Sequence, residues 1–422
     1  MRILRHTDAD FTRALASLQR KAEPPPEIEA TVREIIREVR EHGDAALVEF
    51  TKKFGGPDLA GKRLRVIGRP KVDAAAQKAI ATSSANVRAF AERSLRRDWK
   101  MRNAQGAVVG ERFDPFQRAG IYVPGGTAPL VSTAVMTVSL AAAAGVPEIV
   151  VTTPSDCDGK VNPSLLFALA HCGATEIYQV GGAQAIAALA FGTESIRPVQ
   201  KIFGPGNAYV VEAKRQVFGR VSIDLLPGPS EILVLADASA NAAWIAADLL
   251  AQAEHGHHSS ILFVTDSAKQ LARVEAAIAE QLPRLRRTGA LADVLEHDCV
   301  LILVKRLSEA VAIANEFAPE HISLATRQDD RLAKQIVTSG AIFLGGHSPV
   351  AAGDFLAGPS HTLPTGGAGR SFSGLTADMF QRRTSLVRFD AKSLGRSVAT
   401  IAKFSEIEGL DAHGRSAMIR FA

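Results

Sequence analysis

At 422 residues, with 46% apolar and 22% charged residues, the chain has an ordinary globular composition and enough length for two or more hydrophobic cores. The formal charge of +5 is small for that length, forms no concentrated block and comes with no nucleic-acid recognition motif, so no nucleic-acid partner is expected. Three cysteines (Cys157, Cys172 and Cys299) without a CxxC pair exclude a disulfide scaffold and a thiolate zinc site, and they place the chain in a reducing compartment, by default the cytoplasm.

Along the chain, MRILRHTDADF lacks the apolar core of a signal peptide. A triple proline then separates a short leading arm from EIEATVREIIREV (27–39), whose apolar residues recur at three- and four-residue spacing. This predicts a helix ending at Gly43, and a second helix is expected over 70–96. The uncharged stretch 119–147 has the length of a membrane span. Pro124-Gly125-Gly126 breaks it and Ser, Thr and Ala dilute it, so a strand, a glycine turn and a buried helix are expected, with no membrane partner.

From residue 119 onwards, short β-branched runs alternate with alanine-rich helices. AGIYV, EIVVTTP, EIYQV and KIF are strands, and PGG, GGAQ (181–184) and GPGN (204–207) are turns that open helices. A second round begins at EILVLAD (231–237) and its helix NAAWIAADLLAQAEHG (241–256). SSILFVT, CVLILV, ISLAT and AIFLG follow as four more strands. This alternation predicts an α/β fold with two lobes of parallel sheet, joined near 227–230. The segment after 375 reads as helical and outside both sheets.

Four places carry candidate chemistry. In QAEHGHH (252–258), helical spacing puts Gln252 and His255 on one face, as half of a metal site or as a structural cap, while His257 and His258 fall on the following loop as bystanders. In FAPEHISL, Glu320 and His321 precede a buried strand. They read as two bases of different strength or as a helix C-terminal histidine. Asp354 and His361 lie in a Gly/Pro-rich stretch, and Glu408 and His413 lie near the end of the chain. There is no GxGxxG and no Walker A motif, but the three glycine turns each bring backbone N–H groups and a helix N-terminus together, either for a phosphate or as plain turn chemistry.

Taken in order, GIYVPGGTAPL, VGGAQAIAALAFGTE, KIFGPGNAYV, GPSEILVLAD, LLAQAEHG, APEHI, AGDF with GPSHTLPTGG, and the Glu408/His413 pair resemble the histidinol dehydrogenase family over nearly the whole chain. The resemblance implies two incomplete Rossmann-like, doubly wound lobes, with 24–118 and 231–375 in the first and 119–230 in the second. It adds an N-terminal helical arm (1–23) and a helical tail (376–422) that serves the partner subunit of a homodimer. It implies one zinc per subunit held by Gln252, His255, Asp354 and, from the partner subunit, His413. Glu320 and His321 would be the catalytic bases. Ser230, His361 and Glu408 would contact the substrate L-histidinol together with the zinc ligands and His321. Tyr122, Gln184 and Asn207 would contact NAD. Two alternatives remain: a related zinc and NAD dehydrogenase acting on another small polar alcohol, and a non-catalytic relative that binds NAD or metal.

Overall fold

The structure, a computed structural model, describes residues 1–18, 25–68, 70–125, 129–256 and 258–422. Pro24, Gly126 of the first glycine turn and His257 lie outside the described residues.

The chain opens with strand β1 (Arg2–Arg5), a short helix Phe11–Ala16 and the long helix Pro26–Lys53. Val32, Ile35, Ile36 and Val39 form the buried stripe of the long helix, while Glu27 and Glu29 in its first turn and Lys52 and Lys53 in its last complement the helix dipole. Gly43 interrupts this helix rather than ending it: at φ 53° and ψ −128° the backbone leaves the helical region, and a second segment continues to Lys53. The Glu194 carboxylate fills the space a Cβ at position 43 would need and accepts the Asp44 N–H at 2.7 Å. Helix Ala74–Ser94, capped by the Asp73 side chain, comes next.

A hairpin of β2 (Trp99–Arg102) and β3 (Val108–Pro115) leads into the first parallel sheet. Its strands are β4 (Arg118–Tyr122), β5 (Glu148–Thr152), β6 (Glu176–Tyr178), β7 (Lys201–Phe203) and β8 (Ser222–Ile223), in the order β6-β5-β4-β7-β8 with every neighbour parallel. Winding therefore reverses between β4 and β7, the hallmark of an open doubly wound sheet. Buried Arg118 ties the amino ends of three strands together, donating to Glu148 at 2.7 Å and to both Glu176 oxygens at 2.8 Å.

The second parallel sheet adds β9 (Glu231–Ala236), β10 (Ser260–Thr265), β11 (Cys299–Leu303), β12 (His321–Ala325) and β13 (Ala341–Leu344). Its order is β1-β11-β10-β9-β12-β13, the same winding with β1 added at one edge and the reversal between β9 and β12. All six residues of β9 are buried, as a central strand covered on both faces requires. Finally β14 (Gln381–Arg388) pairs antiparallel with β3, completing a small third sheet.

The two α/β lobes stand as expected, but three assignments differ. The leading arm supplies an edge strand of the second sheet as well as a short helix. The helices of 24–118 pack on the other lobe: Ile35, Leu47 and Phe50 share a core with Tyr122, Val150 and Ile186, and Ile80 and Val87 share one with Ile121 and Met136. The tail carries β14 in addition to its helices. In each case the local pattern specified an element, while the partner surface that covers it came from residues far away in the chain.

Candidate active site

The first group of candidate residues gathers at the amino ends of β9 and β12, which are parallel neighbours with His321 opposite Ile232. Ser230 and Glu231 lead into β9, and Glu320 and His321 lead into β12. Glu320 Oε2 accepts the Ser230 hydroxyl at 2.7 Å and the Glu231 N–H at 2.8 Å. In return, Glu231 Oε2 accepts the Glu320 N–H at 3.2 Å, and Glu231 Oε1 accepts the Gly366 N–H at 2.9 Å. Burial raises the Glu320 pKa above the ordinary carboxylate range and the Glu231 charge adds to it, against the opposing pull of His321 and the two donors.

His321 Nδ1 lies 2.9 Å from the Glu231 carbonyl oxygen. A carbonyl can only accept, so Nδ1 carries the hydrogen and Nε2 is left as the basic nitrogen. That nitrogen stands 3.9 Å from Asp354 Oδ1. The reading of His321 as a helix-terminal cap is therefore replaced: helix Leu307–Phe317 is ended by Ala318 in the left-handed region, and the imidazole is held by β9. The position also departs from the usual rule for open sheets, because these residues sit at the amino rather than the carboxyl ends of the strands.

Asp354 belongs to the short helix Val350–Phe355 and not to a tight turn. Its carbonyl accepts from His361 Nδ1 at 3.1 Å, and Thr133 of the other lobe meets His361 Nε2 at 3.3 Å, so the site lies where the two lobes touch. Burial lowers the His361 pKa; Asp354 opposes this, while His321 and His255 reinforce it, which places both imidazoles within electrostatic reach. Gln252 is buried in the last turn of helix Ala242–Ala253, and the His255 N–H donates to its carbonyl at 3.1 Å. The Gln252 amide has a buried Nε2 with no hydrogen-bond partner among the described residues. Half a turn of that amide presents its oxygen instead, and a neutral amide oxygen, an imidazole and a carboxylate form a donor set suited to a divalent zinc ion.

Two expected residues are not brought to this cluster by their own chain. Glu408 ends helix Val398–Glu408 and His413 lies on helix Asp411–Met418, and both are exposed. His258 has φ 70° and uses its backbone N–H on Asp298, with its side chain exposed. One group not anticipated, Glu38, Glu41 and His42, has ligand-type atoms within 4.8 Å of one another. It follows helical i, i+3, i+4 spacing on an exposed face, where Glu38 already engages Arg37 and His42.

The second group lines a cleft of about 370 Å³ at the carboxyl ends of β4 and β7, where the winding of the five-stranded sheet reverses. Tyr122 is buried, and its hydroxyl accepts the Gly182 N–H at 3.2 Å. Asn207 caps helix Ala208–Val217 through the N–H groups of Tyr209 and Val210. Among the described residues, Gln184 Oε1 and Ser155 Oγ are buried without partners, which leaves two polar atoms of this cleft for a ligand. Gly204, at φ 109°, lies so close to the Tyr122 carbonyl that any Cβ would fall 2.1 Å from it. Beneath this turn the fully buried Lys214 donates to the Gly204 and Leu225 carbonyls at 2.9 and 2.7 Å and pairs with Asp224. Sequence reasoning missed this brace, because nothing in the local pattern marks a lysine in an amphipathic helix as buried.

A crevice of Rossmann type on one lobe and a carboxylate–histidine cluster on the other define a two-lobed α/β oxidoreductase. The histidinol dehydrogenase family model matches residues 18–421, and the chain belongs to that family. It is 43% identical to a histidinol dehydrogenase of Syntrophotalea carbinolica, over 100% of this chain and 99% of that one. Identity to a histidinol dehydrogenase of a Synechococcus species is 44%, over 93% and 92%. The crystal structure of histidinol dehydrogenase from Elizabethkingia anophelis superimposes with a TM-score of 0.93 at 32% identity, covering 100% of this chain and 98% of that chain. Among the described residues, no helix is long and apolar enough to cross a membrane.

Proposed function

We propose that this protein oxidises L-histidinol to L-histidine through the aldehyde, reducing two NAD in sequence, with one zinc ion per subunit and with active sites shared across a homodimer. The observation that carries the reading is the orientation of the base pair: one residue, Glu231, holds the tautomer of His321 and the carboxylate partner of Glu320 at once.

In this reading His321 Nε2 takes the hydroxyl proton of the alcohol as a hydride leaves the same carbon for the nicotinamide. Glu320, kept in a buried pocket with a raised pKa, then takes a proton from the water that adds to the aldehyde. A second hydride transfer from the resulting hydrate yields the carboxylate. Ser230 donates to Glu320 and fixes which oxygen faces the water. His361 and Asp354 shape the pocket wall against the substrate ring and amine.

Gln252, His255, Asp354 and the partner subunit's His413 would hold the zinc, which when bound supplies a positive template for the substrate's imidazole nitrogen and amine. The partner subunit's Glu408 would meet the ammonium group. The exposure of Glu408 and His413 on a surface with exposed Phe404, Ile407 and Leu410 supports that placement. Tyr122, Gln184 and Asn207 would line the NAD cleft. Its lining contains no charged side chain among the described residues, so phosphates would be met by backbone N–H groups and helix N-termini.

The deciding experiment is NADH formation from L-histidinol, with and without a chelator, against simple alcohols. Chelator-sensitive NADH from histidinol supports the reading. Equal efficiency on unrelated alcohols would replace it with another dehydrogenase of this fold, and no NADH at all would leave a binding protein.

A further inference from the structure

The two parallel sheets share one winding, so each has a crevice at the carboxyl ends of its central strands where the order reverses, between β4 and β7 in one and between β9 and β12 in the other. The second crevice has a volume of about 340 Å³ and is assigned no role by the dehydrogenase reading. It lies at the edge opposite Glu320 and His321, about 13 Å away along β12 at ~3.3 Å per residue.

Its chemistry differs from that of the NAD cleft. Asp248, halfway along helix Ala242–Ala253, lines it with no hydrogen-bond or ion-pair partner among the described residues, and burial alone pushes its carboxyl up to about 6. One turn earlier Trp244 faces the same crevice, with the His347 ring against it at 4.9 Å. Arg327, on the rim, donates its backbone N–H to the Asp237 carboxylate at 3.0 Å. A half-buried carboxylate without a partner is costly unless something cationic completes it. A dinucleotide would bring phosphates against that carboxylate, whereas an organic cation with a flat apolar body would match both the charge and the indole face.

We infer that this crevice is a second small-molecule site, which takes a small organic cation with its charge on Asp248 and its apolar body on Trp244. The inference stands independently of which alcohol is oxidised at the other edge.

The chain has two tryptophans, Trp99 and Trp244, so W99F leaves Trp244 as the sole reporter. Full-length W99F protein is titrated at pH 8 with benzylamine and with its neutral counterpart benzyl alcohol, following indole fluorescence. Saturable binding of benzylamine at least tenfold tighter than benzyl alcohol is expected. Asp248→Asn should abolish that preference while NADH formation from histidinol is unchanged. Equal affinities, an unchanged preference in D248N, or a change in sedimentation mass in D248N would overturn the inference, the last by assigning Asp248 to a subunit contact. If D248N does not fold, calorimetry on Trp244→Leu decides: benzylamine affinity must fall, and an unchanged value would overturn the site.

Discussion

Glu231 and Glu320 exchange hydrogen bonds reciprocally, each carboxylate accepting the backbone N–H of the other, at 2.8 Å in one direction and 3.2 Å in the other. Two buried carboxylates thereby clamp the amino ends of β9 and β12. The Glu231 carbonyl adds a third bond to the neighbouring imidazole. If Glu320 and His321 are the two bases, Glu231 is a positioning residue, bonded to both without contact with the reacting atoms. Glu231→Gln retains the size but turns one acceptor into a donor facing an N–H. It should slow the aldehyde step by about a hundredfold, the lower end of the range for a positioned general base. Single-turnover rates with histidinol and with histidinaldehyde check this; equal slowing of both steps would assign Glu231 to the whole pocket instead.

Glu320 is a base only when ionised, and burial raises its pKa. The rate of the aldehyde step should therefore fall as pH is lowered through a value above the ordinary carboxylate range. Glu320→Gln should remove that limb and harm the aldehyde step more than the alcohol step. A pH–rate profile of each half-reaction measures both effects.

If the partner subunit supplies His413, then Glu320→Gln and His413→Asn chains, each nearly inactive alone, should complement when mixed after dissociation. Half of the dimers would be hybrids with one intact site of two, so about a quarter of the parent activity should return, as two-fold symmetry requires. No recovery would mean that each chain completes its own site.

If Gln252 and His255 hold the zinc, their loss should be visible without turnover. His255→Ala and Gln252→Ala should each lower the zinc content of protein dialysed against a weak chelator, and Ser230→Ala should leave it at the parent level. Elemental analysis of the purified protein reads this directly.

Two buried ion pairs make stability predictions. Arg118→Met strands Glu176, whose carboxyl the guanidinium holds down at about 2, and should cost about 3 kcal/mol in chemical denaturation. Lys214→Met strands Asp224 beneath the Gly204 turn. It should destabilise by a similar ~3 kcal/mol and raise KM for NAD more than it lowers kcat. An unchanged KM would confine Lys214 to folding.

Much of the fold was legible because its signals are local. The glycine turns, the β-branched runs and the helical stripe of Val32, Ile35, Ile36 and Val39 are set by neighbouring residues. Helical spacing likewise separated Gln252 and His255 from the loop that follows. Less legible was anything that depended on a distant partner. Four residues, Arg2–Arg5, are too few for a periodic signal and became a strand because β11 offered an unpaired edge. Strand β14 was missed for the same reason, since antiparallel pairing across more than 260 residues leaves no local trace. Gly43 marked a break but could not tell whether a helix would resume beyond it. That was decided by Glu194, 150 residues beyond Asp44, whose N–H it accepts.

By itself the sequence determined which residue types stand ready for chemistry, the alternation that makes two doubly wound lobes, and membership of a family through ordered motifs. Only the tertiary structure decided that Glu320 and His321 lie at the amino edge of their sheet, that Glu231 is hydrogen-bonded to both, and that Asp248 has no partner among the described residues in the opposite crevice. The physical reason is that spacing along a chain specifies faces and caps, whereas burial, tautomer and pairing depend on which distant surface closes over them.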